Sequence, residues 1–465
     1  MAKSSSIHEK FLEDDSKALN LQGRGCLYQY TETKKLLDGS IVVYPRVIGE
    51  RDPNNPKHWR WGFNWEQKVN GVWKGRSIGS IPNGAISMIR EMQLQGASRD
   101  EIISFIKRAK AKKTNLKPKL PTHAPTAVVL FAGGGGLDAG MVDAGIRIEV
   151  AVEYDPTKPE LSRAIAQAHH HNFSEYGCKI IQLTVQEVAK EGFIGFPQRP
   201  DYLHASPVCS NFSQAHTAKA GIGLESPDDL TAAQAVALAI QQLRPRVFTL
   251  ENVPRYQDSQ SFAIILFTLE SLGYKVNYSV VNMADYALPQ ARKRLVLVAC
   301  EDLALTLPPT SKKIGWYEAI GHLIATMNDS YLLAKQKQAL EIFLATNEPT
   351  PLLIERVGVR GLPKLKPGAE PANTILRSQF TDHKGGNRNL FADIWLPDGT
   401  VKSLSIEGAA ALQGFPPWYQ LPKEAAVAGS IIGYSVPPSF AYQLFTDIQK
   451  QLRNHDLSRN LLHQS

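Results

Sequence analysis

Cysteine is scarce in this chain and poorly placed for disulfide or metal chemistry: Cys26, Cys178, Cys209 and Cys300 lie far apart and form no Cys-x-x-Cys pair. A disulfide scaffold or a structural zinc site needs grouped thiols, so neither is supported, and a cysteine with a special task is expected to be a nucleophile. Long apolar runs are lacking as well. No uninterrupted stretch reaches the roughly 18 to 20 residues needed to cross a bilayer, which excludes a membrane-spanning helix. The opening MAKSSSIHEKFLEDD brings acidic residues where a secretory signal would need its apolar segment. The expected location is therefore cytoplasmic, at the nucleoid in a bacterium. Internal repeats are also absent, so the chain is not an array of like units. His169, His170 and His171 are consecutive rather than spaced for one metal on a helix face, and they read as structural; no metal is expected.

What remains is an ordinary globular balance, 43% hydrophobic and 21% charged over 465 residues, enough for two or three domains of roughly 150 residues each. The charge is uneven. Residues 1–120 carry +10 net and the remaining 345 carry −2. Positive charge confined to one segment is the footprint of a polyanion partner such as nucleic acid, although a solvated face reads the same way from charge alone. The same segment holds four of the seven tryptophans, Trp59, Trp61, Trp65 and Trp73, in the alternating stretch WRWGFNWEQKVNGVWKGRSIG, where Asn70-Gly71 signals a hairpin. From Asn83 to Lys113, Ile86, Ile89, Met92, Ile102, Ile103 and Ile106 recur near helical spacing around a Gly96-Ala97-Ser98 break. A small α+β domain is expected over residues 1–106, its aromatics filling the core rather than stacking on bases. Residues 107–125, opening on the basic run KRAKAKKTNLKPK and ending Pro-rich, read as a linker. Its charge suits phosphate contact, nuclear import or plain solvation.

From Thr126 the pattern becomes alternating strands and helices, which predicts an α/β fold on a parallel sheet. TAVVLF leads into AGGGG and then the helical LDAGMVDAG. Gly133, Gly135 and Gly136 let the backbone approach a ligand closely, and the helix N-terminus behind them favours a negative group. The next strand ends at Glu153, 18 positions after Gly135, where such folds place a carboxylate on ribose hydroxyls. That pattern leaves NAD, FAD and S-adenosylmethionine equally open. Further strands are predicted at 201–206, 246–253, 275–281 and 294–299. Ligands in such sheets bind beyond the carboxyl ends of strands, where Cys209 and Glu251 emerge. Singly, Cys209 reads as a buried thiol and Glu251-Asn252 as a turn or cap. Together with Gln290, Arg292 and Arg294, which alternate on one face of a strand, they form a polar group costly to bury without a ligand.

These residues resemble the DNA (cytosine-5) methyltransferase family, in family order from about Thr126 to the C-terminus. LFAGGGGLDAG, with Phe131 and the three glycines, looks like the first motif, and EYD like the second. SPVCSNFS resembles the catalytic-loop motif, LENV the glutamate motif, and ADYALPQARKR the paired-arginine motif. IEGAAALQGFP and GYSVPPSFAYQL look like the last two, with Gln413, Gly414, Phe415, Pro416, Val436, Pro437 and Pro438. The departures are Val208 and Ser210 flanking Cys209 in place of Pro and Gln, Thr184 for a strand-end aspartate that meets the adenine amine, Tyr434 for asparagine, and Val129 for aspartate.

The resemblance implies a Rossmann-like, S-adenosylmethionine-dependent sheet over residues 126–300 and 401–465, with a small target-recognition domain inserted over 301–400. Cysteine is intrinsically nucleophilic even when mostly protonated, and Cys209 would add to cytosine C6. Glu251 would hold N3 and the exocyclic amine, and Arg292 would sit near O2 and the thiolate, with Asn252 and Arg294 completing the catalytic set. Phe131, Gly133, Gly135, Gly136, Glu153 and Tyr154 would bind S-adenosylmethionine, Tyr154 against the adenine. Ser213, Gln290, Lys384, Asn387 and Arg388 are the substrate-binding expectations; the last three sit on a turn that suits base edges, phosphate or plain solvent. The segment after Cys209, with hinges at Gly221 and Gly223, reads as a lid over a flipped base. The implied partner is double-stranded DNA, with a cognate restriction endonuclease in systems that carry one, and the chain is otherwise expected to be a monomer. An RNA cytosine-5 methyltransferase and a non-catalytic DNA-binding regulator are the alternatives; the presence of Cys209, Glu251 and Arg292 argues against the second.

Overall fold

The computed structural model describes residues 25–462, apart from 36–39, 54, 70, 95, 111–115, 208–224, 357–360 and 377–390. The chain divides into two compact units, residues 1–111 and 112–465.

In the first, β1 (Cys26–Tyr30), β2 (Glu32–Lys35), β3 (Ile41–Tyr44), β4 (Arg60–Val69) and β5 (Val72–Ile81) precede α1 (Ile86–Leu94) and α2 (Arg99–Lys110). Strands β1, β4 and β5 form an antiparallel sheet in that order, and β2 pairs with β3. Val69 stands opposite Val72 and Gly71 has φ +82°, the tight hairpin that an Asn-Gly pair favours. Trp61, Phe63 and Ile81 pack on Ile86, Ile89, Ile102, Phe105 and Ile106, whereas Trp73 is 62% exposed. The tryptophans are thus divided between core and surface. The predicted break falls between the helices, where Ser98 accepts the Glu101 N–H and the Glu101 carboxylate takes the Ser98 N–H at 2.9 Å. Helix α2 runs to Lys110, into the segment read as a linker from residue 107. Basic side chains are favourable in a last helical turn, which explains the overlap.

In the second unit β6 (Thr126–Leu130), α3 (Gly136–Asp143), β7 (Arg147–Val152), α4 (Pro159–Phe173), β8 (Lys179–Ile181), α5 (Val185–Lys190), β9 (Tyr202–Ala205), α6 (Pro227–Leu243), β10 (Val247–Asn252), α7 (Gln260–Ser271), β11 (Lys275–Asn282) and β12 (Lys293–Cys300) build one sheet with helices between its strands. The strand order is β11-β12-β10-β9-β6-β7-β8; the five from β10 to β8 are parallel and β12 is antiparallel to both neighbours. Parallel strands are covered on both faces, so β9 and β10 are buried at every position. One core joins Val129, Ile148 and Val298 to Phe440, Leu444 and Phe445; the other joins Val128, Leu203 and Leu250 to Val236, Ile240 and Phe262.

Residues 301–400 contain α8 (Trp316–Ile320), α9 (Ala334–Leu344), β13 (Leu352–Glu355), β14 (Leu365–Pro367) and β15 (Ala392–Trp395), and β16 (Val401–Ser403) follows directly. The strands form an antiparallel sheet, β14-β13-β15-β16, over a small core of Leu332, Leu352, Ile354 and Trp395. The chain then adds α10 (Ile406–Leu412), α11 (Ala425–Tyr434) and α12 (Pro438–Leu462), with α12 packed along α3. No described helix is long and apolar enough to cross a membrane.

Candidate active site

Strand order reverses between β6 and β9: from β6 the chain goes to β7 on one side and returns to β9 on the other. Such a reversal opens a crevice at the carboxyl ends of the strands. On the β6 side, Phe131 (φ +58°), Gly133 (φ +57°) and Gly135 (φ +82°) form a turn in left-handed conformations. Its glycines have separate reasons to be glycine. A Cβ on Gly133 would meet nothing within 4 Å, whereas one on Gly135 would lie 2.3 Å from Phe173 and one on Gly136 2.5 Å from Ser435. Open space for a ligand therefore lies at Gly133. At Gly135 and Gly136 packing within the protein leaves no room for a side chain, while their backbone stays part of the turn.

Glu153 follows the end of β7, and its Oε2 accepts the Gly133 N–H at 2.9 Å, tying the carboxylate to the turn. Burial pushes its carboxyl above the usual range, opposed by that hydrogen bond and by His169. Tyr154 beside it is partly exposed. His169 is fully buried against Asp138, Nε2 to Oδ2 2.5 Å, while His171 bonds Gln420 at 2.8 Å, so neighbouring histidines have unrelated partners. Thr184, standing for the expected aspartate, caps α5 by accepting the Glu187 N–H at 3.1 Å. Val129 is buried within β6, and Tyr434, 57% exposed, ends α11.

Across the reversal, Asn252 at the end of β10 donates from Nδ2 to the Pro207 carbonyl at 3.1 Å, holding the chain two residues before Cys209. His204 on β9, which the sequence did not single out, reaches Thr249 Oγ1 at 2.9 Å and Ser206 Oγ at 2.8 Å. Burial pushes its pKa down to about 3, so the ring is neutral near pH 7. A histidine within an apolar strand, one residue from a Ser-Pro loop, was the available signal. Glu251 is 8% exposed, with Arg294 Nε 3.0 Å from its Oε1. Arg292, 2% exposed, donates from Nη2 to the Gly433 carbonyl at 3.4 Å.

Of Gln290, Arg292 and Arg294, expected to alternate on one strand face, only Arg294 lies within β12. Regular pairing in β12 starts only at Lys293, and the preceding segment is drawn to another neighbour, Ala291 N–H to the Ala372 carbonyl at 2.7 Å. Gln290, expected at the substrate, is fully buried with its amide engaged inside the protein. Cys209, Ser213 and the expected lid (within 208–224), and Lys384, Asn387 and Arg388 (within 377–390), lie outside the described residues.

Fold and site together define an α/β enzyme with a Rossmann-like sheet, its glycine turn and strand-end carboxylate on one side of the reversal and a Glu-Arg pair on the other. Residues 126–450 match the model of the C-5 cytosine-specific DNA methylase family, and the chain belongs to that family. It is a DNA (cytosine-5) methyltransferase, as the motif resemblance implied. The chain is similar to the Type II methyltransferase M.AplI of Arthrospira platensis, 26% identical over 331 residues covering 70% of this chain and 86% of that one. It is also similar to the Type II methyltransferase M.FnuDI of Fusobacterium nucleatum, 24% identical over 346 residues and covering 70% and 95%. Among solved structures, the Entamoeba histolytica methyltransferase EhMeth aligns with TM-score 0.48 at 14% identity, covering 71% of this chain and 99% of that one.

Proposed function

We propose that this methyltransferase flips a cytosine out of duplex DNA and methylates its C5 through a transient bond between Cys209 Sγ and C6. The observation that carries the reading is the pairing at the end of β10: Glu251 lies 3.0 Å from Arg294, and its neighbour Asn252 anchors the loop that leads to Cys209. The open side of Gly133 and the Glu153 carboxylate tied to the same turn fit S-adenosylmethionine, whose adenosine ribose offers two hydroxyl donors. When bound, that cofactor supplies an electrophilic methyl group.

The protein's part is to make C5 nucleophilic. A base inside the duplex hides C6, so it must leave the stack. The Cys209 thiolate then bonds to C6, and the ring electrons move toward C5. Glu251 supports this by sharing a proton with N3 and accepting a hydrogen bond from the exocyclic amine, and Arg294 keeps the carboxyl group oriented. After C5 has gained the methyl group its proton passes to a base such as water, the C5–H electrons re-form the C5–C6 double bond, and the C6–S pair returns to sulfur, leaving the Cys209 thiolate and an aromatic 5-methylcytosine. The similarity to Type II methyltransferases supports a role in protecting host DNA, alongside a cognate endonuclease in the cytoplasm.

Duplex DNA containing 5-fluorocytosine tests the mechanism, because fluorine blocks the proton-loss step. It is expected to trap an adduct that peptide mapping finds on Cys209, and Cys209→Ala is expected to form none and to lose methyl transfer while keeping its fold. An adduct on another cysteine, or near wild-type turnover by the variant, overturns the proposal.

A further inference from the structure

The β4–β5 hairpin of the N-terminal unit has a sealed stem and a bare outer half. Helices α1 and α2 cover one face of the stem at Trp61, Phe63 and Ile81, with Trp65 and Ile78 packed against the same core. On the other face Tyr28 leaves no room for a Cβ on Gly62, and Tyr30 Oη lies 3.0 Å from the place of a Cβ on Gly79 and accepts the Ser80 N–H at 2.9 Å. Arg99 of α2 donates from Nη1 to the Glu66 carbonyl at 3.2 Å. Past that bond the cover ends. Of the described residues from Glu66 to Ser77, all but Val69 are exposed, Val72 and Trp73 among them.

Strand register sorts the outer side chains onto two faces. Lys68 stands opposite Trp73, whereas Lys74 stands opposite Gln67 and Arg76 opposite Trp65. Successive residues of a strand point to opposite faces, so Lys68 and Trp73 share one face while Lys74 and Arg76 share the other. The ion pairs described in this unit use Lys34, Arg60 and Arg99 instead of these three cations. A flat partner would meet only one face of such a ribbon. The major groove of duplex DNA meets both: it is about 12 Å wide, admits a two-stranded β-ribbon, and has a phosphate backbone along each edge. The charge of the unit agrees, since residues 25–110 carry 14 Lys and Arg against eight Asp and Glu.

We infer that the β4–β5 ribbon enters the major groove of the DNA being methylated, with Lys68 against one phosphate backbone, Lys74 and Arg76 against the other, and Val72 and Trp73 on the groove floor. Phosphate contacts position a protein without reading bases, so the ribbon supplies affinity rather than the choice of site. The inference rests on the function proposed above, in which duplex DNA is the substrate.

The test titrates the full-length chain, at several salt concentrations, with a duplex carrying the site found by bisulfite mapping. Each phosphate contact contributes about 0.9 to the slope of log affinity against log salt. Combining Lys68→Gln, Lys74→Gln and Arg76→Gln is therefore expected to weaken binding and make the slope shallower by about two to three, with the methylated sequence unchanged. Trp73→Ala is expected to weaken binding about tenfold at an unaltered slope, because an apolar contact is not screened by salt. Lys34→Gln, Lys35→Gln and Lys57→Gln together remove the same charge from the same unit outside the ribbon, and this control is expected to keep the slope within about one of wild type. If the triple ribbon variant melts early, the three substitutions are titrated singly, each expected to lower the slope by about one. Wild-type affinity and slope in the ribbon variants, or an equal loss in the control, overturns the inference, while a Cys209 adduct with 5-fluorocytosine DNA leaves the proposed function standing. No duplex binding and no methylation by wild type removes both.

Discussion

Gly133 and Gly136 stand three residues apart in one turn and are glycine for different reasons. At Gly136 an added methyl meets Ser435 Cβ at 2.5 Å and the Val436 carbonyl at 2.9 Å. Gly136→Ala is expected to lose about 1–3 kcal/mol of stability from overpacking, measured by denaturant unfolding. At Gly133 the methyl meets no neighbour, but φ +57° disfavours a Cβ by roughly 1–2 kcal/mol. Gly133→Ala is expected to weaken S-adenosylmethionine binding beyond what its smaller stability loss explains, as read by calorimetry. Glu153 gives a third expectation. Charge-assisted hydrogen bonds contribute on the order of 1.5–3 kcal/mol, so Glu153→Ala should weaken the same binding about tenfold or more. Unchanged affinity would move the cofactor site elsewhere. Because burial raises the Glu153 pKa, its stabilising contribution is complete below the ordinary carboxylate pKa and is lost as pH rises through the raised value. Glu153→Gln should therefore stabilise the ligand-free protein more at pH 7 than at pH 4.

Elements of the catalytic unit begin where short local signals place them. Ser226 with Asp229 starts α6 and Thr184 with Glu187 starts α5, each as a reciprocal cap written in four consecutive residues. The insertion between residues 301 and 400 was not legible in this way. Its strands are three or four residues long, too short for alternation to show, and they cohere through a buried polar group. Arg356 reaches both oxygens of Asp393 at 2.6 and 2.7 Å, and Ser330 and Gln336 complete the shell around that fully buried carboxylate. Removing one partner of a buried pair leaves an uncompensated charge, so Asp393→Ala is expected to cost about 3–5 kcal/mol. Asp393→Leu in an Arg356→Met background should recover much of that loss, with thermal melting as the measurement. Melting of the single variant at the wild-type temperature would show that the pair contributes little.

At the scale of the molecule, the family match covers residues 126–450 and leaves the N-terminal unit outside it, although residues 1–120 carry all of the net positive charge. Phosphate contacts supply affinity that falls steeply with salt, whereas base-edge contacts discriminate sites. If the N-terminal unit holds phosphates and residues 301–400 choose the sequence, deleting residues 1–111 will weaken DNA binding and flatten its salt dependence while leaving the methylated sequence unchanged. Binding titrations at several salt concentrations, beside bisulfite maps of both proteins, measure this. A stabilising cap would instead lower thermal stability with the salt slope intact, and an altered methylation sequence would make the unit a reader of bases.

Local chemistry was enough for much of this protein. Strand–helix alternation, the glycine turn, the carboxylate after β7 and the Asn-Gly hairpin follow from neighbours in sequence, because each rests on backbone conformation or hydrogen-bonding periodicity within a few residues. Motif order then identified the family. What sequence could not determine is which distant segments press on those motifs. That Gly135 and Gly136 also leave no room for a side chain emerges only once Phe173 and Ser435 are placed against them. Gln290 looks like a substrate contact until Gln413 and Ile375, 123 and 85 residues away, occupy its amide. A buried polar group takes whatever partner the packing brings, and that choice is made by tertiary structure because both partners lose water only when the chain closes on itself.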